Sequence, residues 1–258
     1  MKKIFGYPQG LTERRTHYCP GCTHGVIHRM VGEVLEELEL RERTVGIAPV
    51  GCSVLAYEYF NCDMFEASHG RAPAVATGAK RARPELVVFT YQGDGDLASI
   101  GMAEIVHAAN RGEKISVVFV NNAIYGMTGG QMAPTTLVGQ RTTTCPAGRD
   151  PAQVGFPVRM AELVAGLRTP GFVARASVHT PRATVQAKAV LRRAFEHQVQ
   201  GTCFTFTEIL STCPTNWGLS PKEAASWLEK EMIPYYPLGI FKTPDMAEGP
   251  HLRPAEGL

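Results

Sequence analysis

Seven cysteines, a Gly93-Asp94-Gly95-Asp96 string and an Asn121-Asn122 pair are the groups best suited to chemistry in this 258-residue chain. Cys19-Pro20-Gly21-Cys22, just ahead of a helical pattern, is a two-ligand metal knuckle. Zinc is the commoner occupant of such a pair, but zinc ribbons repeat a second CxxC and this sequence has none. An iron–sulfur cluster is the other candidate, with Cys52 as a further thiolate. Asp94 offers hard carboxylate oxygens, and the flanking glycines let backbone amides approach an anion closely. An Asn side-chain oxygen, a backbone carbonyl, two diphosphate oxygens and a water would complete the octahedral shell of Mg²⁺. A diphosphate cannot sit in a largely apolar cleft unless a cation offsets its charge.

Elements must bring these groups together. Residues 26–40 put Ile27, Met30, Val31, Val34, Leu35 and Leu38 on one helical face and Glu33, Glu36 and Glu37 opposite, with Thr23 as the cap. Residues 44–50, 86–91 and 115–120 are short, continuous β-branched runs, as expected of strands covered on both faces of a parallel sheet. They end at Gly51-Cys52-Ser53, Gly93-Asp94-Gly95 and Asn121-Asn122. A helix over about residues 98–110, closed by Arg111-Gly112, joins the last two runs into a βαβ unit. Helices near 158–167 and 182–198 alternate with strands near 172–178 and 204–209, and the Gly-, Thr- and Pro-rich stretch 126–155 reads as a functional loop. The fold class is α/β: residues 1–233 form a doubly wound, mostly parallel sheet, and 234–258 an irregular C-terminal arm. Ligands of such sheets bind beyond the carboxyl ends of the strands, where the marked strings fall.

Composition narrows the function. A net charge of +2 excludes a polybasic nucleic-acid binder. No apolar run nears the eighteen or so residues of a membrane span, and Lys2 and Lys3 lead into no apolar stretch, so neither membrane nor secretory signal is expected. In the cytoplasm so implied, an odd number of cysteines points to metal or redox chemistry rather than disulfides. Only 19% of residues are charged, below the usual quarter, which suggests surface hidden against a partner.

Residues 96–120, twenty-five in all, span one helix and one strand between the GDG and NN strings. This spacing resembles the thiamine diphosphate motif. By that match Asp94 and Asn122 hold Mg²⁺ through their side chains and Ile124 through its carbonyl. Four more strings accompany it: 17–22 (HYCPGC), 69–71 (HGR), 126–136 (GMTGGQMAPTT) and 211–217 (STCPTNW). Together they resemble the β subunit of 2-oxoacid:ferredoxin oxidoreductases, from about His17 to Lys242. The resemblance implies a thiamine diphosphate-binding fold and matches Cys19, Cys22, Cys52 and Cys213 to [4Fe–4S] ligands. It sets His69 and Arg71 beside the cofactor diphosphate and the reacting carbonyl, as catalytic residues. Val50, Gly51, Cys52, Ser53, His69, Gly95, Asp96, Gly126 and Met127 would cradle the cofactor. Cys203 opens a β-type run and should pack inside the sheet, whereas Cys213 follows that run at its carboxyl end. Cys62 and Cys145 are expected to be small buried apolar residues, and His24, His28, His107, His179 and His197 surface or packing residues.

The implied activity is CoA-dependent oxidative decarboxylation of a 2-oxoacid, 2-oxoglutarate or 2-oxoisovalerate favoured, to acyl-CoA and CO₂ with electrons passed to ferredoxin. Thiamine enzymes also need a pyrimidine-binding domain, for which one α/β domain leaves no room. An α subunit is expected to supply it, with γ and δ subunits as further candidates. A non-redox thiamine decarboxylase, a lipoamide-linked dehydrogenase component and a zinc-stabilised accessory subunit are the alternatives.

Overall fold

β-branched and aromatic residues dominate the strands β1 (Thr44–Ala48), β3 (Val87–Gly93), β4 (Ser116–Asn121), β5 (Gly171–Ser177) and β6 (Phe204–Leu210), nearly all of whose residues are buried. Such runs cannot face water on either side, so helices must cover both. The computed structural model describes residues 6–169 and 171–245. Two short strands, β2 (Asp63–Glu66) and β7 (Gly239–Lys242), complete a sheet of order β2-β1-β3-β4-β6-β5-β7. The pairings are parallel except that of β7 with β5. The edge strand corrects the expectation of an irregular arm from 234; residues 246–258 of that arm lie outside the described residues.

Ten α-helical segments lie among the described residues. The first five are α1 (His24–Glu37), α2 (Ala56–Tyr59), α3 (Ala72–Ala82), α4 (Met102–Arg111) and α5 (Pro151–Val154). The others are α6 (Met160–Ala165), α7 (Pro181–Val199), α8 (Pro214–Trp217), α9 (Pro221–Trp227) and α10 (Ile233–Tyr235). On one face of the sheet Ile27, Val31 and Leu35 of α1 and Leu191 and Phe195 of α7 pack on Phe89, Tyr91, Val118 and Ile209. On the other, Ala76 of α3, Ile105 and Ala108 of α4 and Val164 of α6 pack on Val88, Val117, Phe119 and Phe206. The chain is doubly wound, as expected.

Local deviations concentrate where the site lies. The helix expected over 98–110 is preceded by a π-helical turn, Asp96–Ile100, and Gly101 marks the junction. Gly101 lies against Gly70: a Cβ on Gly101 would sit 2.7 Å from the Gly70 carbonyl oxygen, so only glycine admits this approach of residues 69–71 to the GDG segment. Thr23 precedes α1 but does not cap it; its hydroxyl instead pairs with Ser211 Oγ at 2.8 Å and accepts the Thr212 amide at 3.0 Å, tying the CxxC segment to the exit of β6.

The loop after β4 is held by one side chain. Arg149, 5% exposed, donates to the carbonyls of Ala133, Pro134, Thr136, Val154, Gly155 and Phe156 at 2.8–3.3 Å. Replacing it by methionine leaves the Ala133 and Thr136 carbonyls buried and unsatisfied, at about 1–3 kcal/mol each, and releases the exposed 154–156 segment to water. Arg149→Met is therefore expected to lower the unfolding free energy by more than about 3 kcal/mol and to open residues 126–155 to protease. Urea titration and limited proteolysis read the two effects, and native values in both would show that the loop is held by other contacts.

Candidate functional site

Parallel strands in register end together. Gly93 of β3 is level with Val120 of β4, and Asn121 with Leu210 of β6, so the segments following these strands meet at one edge. Asp94 follows β3 and is 2% exposed. Its Oδ1 accepts the Gly95 amide at 2.8 Å and its Oδ2 the Thr135 hydroxyl at 2.6 Å. Among the described residues no cationic side chain pairs with it, and burial pushes its pKa up to about 6 against the lowering pull of Thr135 and the Gly95, Ile124 and Ala123 amides. A buried carboxylate surrounded by donors but lacking a cation fits a metal-binding role.

The exit of β4 is a left-handed turn. Ala123 has φ 57°, and its carbonyl accepts Thr136 Oγ1 at 2.7 Å and Gln140 Nε2 at 3.1 Å. Asn122 Oδ1 lies 3.3 Å from the Ile124 amide, and the Asn122 carbonyl accepts Trp217 Nε1 at 3.1 Å. At the exit of β1, Gly51 (φ 108°) leads into Ser53, whose buried hydroxyl has no protein partner among the described residues. An orphaned hydroxyl at this edge is what a cradle for a bound anion leaves behind.

Four thiols meet beside that turn. Cys19, Cys22, Cys52 and Cys213, from three distant parts of the sequence, line one cavity of about 130 Å³ with Asn122 and Gly126. A Cβ on Gly126 would lie 3.0 Å from Cys52 Sγ, 3.6 Å from Cys213 Sγ and 3.6 Å from Asn122 Nδ2. Gly126 thus lies against both the thiols and the Asn122 side chain, in the same cavity. Burial pushes Cys22 and Cys52 up to about 12, with neighbouring thiols adding to the shift, and raises Cys213 against a lowering hydrogen bond from Asn216. Among the described residues no three His, Cys, Asp or Glu side chains converge on a point that would hold one metal ion. Thiols are ligands that both zinc and an iron–sulfur cluster accept.

The remaining cysteines stand apart. Cys203 is buried with Phe172, Ala174 and Ala194, as its strand position suggests. Cys62 and Cys145 are partly exposed, which corrects the expectation that both are buried: Cys62 lies against Met64 Sδ at 3.8 Å, and Cys145 donates to the Gly148 carbonyl at 3.1 Å.

The family described as "Thiamine pyrophosphate enzyme, C-terminal TPP binding domain" matches residues 49–204. Ketoisovalerate oxidoreductase subunit VorA of Methanothermobacter thermautotrophicus is 49% identical over 253 residues, 98% of this chain and 53% of the relative. 2-Oxoglutarate synthase subunit KorB of Methanocaldococcus jannaschii is 35% identical over 237 residues, 90% of this chain and 82% of the relative. The chain belongs to the family of thiamine diphosphate-binding subunits of 2-oxoacid:ferredoxin oxidoreductases. A solved 2-oxoglutarate:ferredoxin oxidoreductase from Magnetococcus marinus, with 2-oxoglutarate, coenzyme A and succinyl-CoA bound, has the same fold: TM-score 0.74 at 27% identity, over 90% of this chain and 83% of that one. The chain spans about half the length of the ketoisovalerate relatives it matches.

Other residues expected at the site of this family member differ in what they reach. His69 Nδ1 pairs with Asp96 Oδ1 at 2.5 Å, and the same oxygen accepts the Gly70 amide at 2.7 Å. Asp96 Oδ2 accepts Gln92 Nε2 at 2.6 Å, so this buried carboxylate, expected in the cofactor cradle, is committed to protein donors and orients His69. Arg71 turns to an ion pair with Glu104. Gly95 is covered by the Tyr125 ring, while Val50 and Met127 are exposed at the rim. His24 and His28 are packing residues but sit deep inside: Tyr18 stacks on His24 at 4.7 Å and donates or accepts with His28 Nε2 at 2.8 Å, and His24 Nδ1 pairs with Tyr91 OH at 2.9 Å. Burial lowers His24 to about 3 and His28 well below its ordinary value, so both are neutral beside the thiols.

Thr135, Asn216 and Trp217 were legible as part of motif strings; their contacts to Asp94, Cys213 and Asn122 were not. Asn216 Nδ2 donates to the Gly126 carbonyl at 2.8 Å and lies 3.4 Å from Cys213 Sγ.

The Asp94 shift has a measurable consequence in the metal-free chain. Its folded pKa, about 6 against an ordinary 3.8, is raised, so its contribution to stability is fully present below about pH 4 and lost as pH rises through 6. Asp94→Asn removes the ionisation. The metal-stripped variant is expected to be more stable than the metal-stripped native chain at pH 8, with the gap closing toward pH 4. Chemical denaturation at both pH values checks this, and a gap that widens at low pH would contradict the sign.

Proposed function

We propose that this chain is the thiamine diphosphate-binding, β-type subunit of a 2-oxoacid:ferredoxin oxidoreductase whose substrate is a branched-chain 2-oxoacid. The observation that carries the reading is one cavity lined by four thiols, Gly126 and Asn122, at the sheet edge where the buried, cation-free carboxylate of Asp94 also lies. The choice of 2-oxoisovalerate over 2-oxoglutarate is supported by 49% identity to a ketoisovalerate oxidoreductase subunit against 35% to a 2-oxoglutarate synthase subunit.

Asp94, Asn122 and the Ile124 carbonyl would hold Mg²⁺ and through it the cofactor diphosphate, with Ser53 Oγ as a further donor. Cys19, Cys22, Cys52 and Cys213 would hold a [4Fe–4S] cluster. Thiamine diphosphate, when bound, supplies the nucleophilic carbon and the electron sink for decarboxylation, and the cluster an acceptor for the electrons. The protein's own share is placement and exclusion of water. Thr135 and the Gly95 amide fix the Asp94 carboxylate before any cation arrives. Trp217 and Asn216 pin the backbone between the two centres. The Asp96–His69 pair leaves the other ring nitrogen of His69 available at the mouth. A partner α subunit would supply the pyrimidine-binding domain, with γ and δ subunits, ferredoxin and CoA as further partners. A cytoplasmic location suits thiols that must stay reduced.

Purification of the complex under argon tests the reading. Iron and sulfide near four each per cluster, a broad band near 400 nm, and faster acyl-CoA formation from 2-oxoisovalerate than from 2-oxoglutarate or pyruvate are expected. Zinc without iron would sink the cluster assignment; equal rates on all three acids would sink the substrate assignment. Asp94→Asn should lose thiamine diphosphate on gel filtration while the fold persists, because the isosteric amide withdraws the charge that opposes Mg²⁺.

A further inference from the structure

Arg175 and Glu208 form an ion pair inside the sheet that the proposed chemistry does not use. They face each other in register on β5 and β6, neither side chain has exposed surface, and Arg175 Nε lies 2.9 Å from Glu208 Oε2. Buried pairs of this kind are often no more stabilising than apolar residues of the same volume, so depth alone does not account for this one. The rest of its hydrogen bonding does.

Glu208 Oε1 accepts Asn121 Nδ2 at 2.8 Å, and Oε2 also faces the Ala161 amide at 3.3 Å. Burial raises the Glu208 carboxyl against the lowering pull of Arg175 and Asn121, and the groups within reach of its two oxygens are all donors, which leaves both oxygens to accept. An acceptor-only partner fixes which way the Asn121 amide points. With its NH₂ turned to Glu208, its oxygen is left to accept the Ala123 amide at 3.1 Å. Ala123 is the left-handed residue of the β4 exit, and left-handed backbone is disfavoured for a side chain bearing a Cβ unless something holds it. Its neighbours are Asn122 and Ile124. A second arm leaves the same guanidinium: Arg175 lies 5.2 Å from the Tyr236 ring centre, Tyr236 OH donates to the Thr135 carbonyl at 2.6 Å, and Thr135 Oγ1 donates to Asp94 at 2.6 Å. Both arms end on residues assigned to the cofactor's cation.

We propose that Glu208, anchored by Arg175, is a positioning residue for thiamine diphosphate binding: through Asn121 it holds Ala123 left-handed and so sets how Asn122 and Ile124 are presented. The inference rests on the reading that Asp94, Asn122 and Ile124 hold the diphosphate's cation.

Its test uses the intact complex stripped of cofactor, with rebinding of thiamine diphosphate at fixed Mg²⁺ followed by calorimetry and the melting temperature recorded alongside. Asn121→Ala and Glu208→Gln are each expected to weaken binding at least tenfold. The double variant should be no weaker than the worse single one, because both act through the same contact. Ala123→Gly in the Asn121→Ala background should recover most of the affinity, since glycine takes the left-handed turn unaided. Native-like binding by Asn121→Ala, additive losses in the double variant, or no recovery with glycine would each overturn the relay. If Glu208→Gln does not fold, the glycine rescue decides alone. A native complex that binds no thiamine diphosphate at any Mg²⁺ concentration would sink the cofactor reading instead, which distinguishes the two failures.

Discussion

Taking the carboxylate of Asp94 out of water is the constraint that most of this structure answers to. With burial raising its pKa to about 6 and no cation beside it, the group persists only because donors are brought to it. Those donors come from separate places: the Gly95 amide from its own turn and the Thr135 hydroxyl from the following loop, while the Ala123 and Ile124 amides at the exit of β4 add a lowering pull. Delivering all of them requires β3 and β4 to end level and the loop to return over the sheet edge. Parallel pairing in register supplies the first condition. Arg149, which gathers six carbonyls of the loop, supplies the second. A cation at the proposed site would meet a carboxylate already held in place, so little ordering entropy would oppose its binding.

The thiols pose the opposite electrostatic problem. Cys22 and Cys52, pushed up to about 12, are neutral in the metal-free chain, and Asp94 itself contributes to the upward shift of Cys52 and Cys213. Four thiolates next to a bare carboxylate would repel one another strongly in a cavity of about 130 Å³. A cation at Asp94 and a cluster among the thiols, as proposed, would relieve that repulsion together. The neutral histidines fit the same logic: His24 and His28 bring no charge to this edge, only ring packing and hydrogen bonds to tyrosines. In this arrangement the two proposed centres belong to one electrostatic unit, beside a backbone segment that has no room for a side chain at Gly126.

Sequence reading reached the parts whose cause is local. Continuous β-branched runs announced β1, β3 and β4, alternation with helices announced β5 and β6, and the glycine and asparagine strings at the ends of β3 and β4 announced the exits where Asp94 and Asn122 sit. Cys213 was separable from Cys203 because one follows a strand and the other begins it. The elements missed lack such signals. β2 (DMFE) is largely exposed and nearly without β-branched residues, α3 (APAVATGAKRA) is built of small residues, and β7 (GIFK) is too short to show a period. The break at Gly101 depends on Gly70, remote in sequence, and no pattern in 96–111 marks it. Arg149, Arg175 and Glu208 read as surface charges until tertiary structure buries them, because burial of a charge is decided by what surrounds it rather than by its own neighbours in sequence.

The two buried arginines show why that blindness matters for the site. Arg149 is surrounded by neutral carbonyls and satisfied by dipoles alone, whereas Arg175 faces Glu208 and Glu162 and donates to the Pro237 carbonyl at 3.1 Å. Each uses the planar fork of five N–H donors, which a lysine, with three donors on one flexible centre, cannot spread over the same partners. One arginine folds the loop that carries Thr135; the other joins β5, β6 and the Tyr236–Pro237 segment behind the β4 exit. Neither lines the cavity, yet both hold backbone from which side chains at this edge project. The chemistry at the sheet edge therefore rests on charges buried beneath it, and a substitution that leaves every thiol and carboxylate intact can still move them.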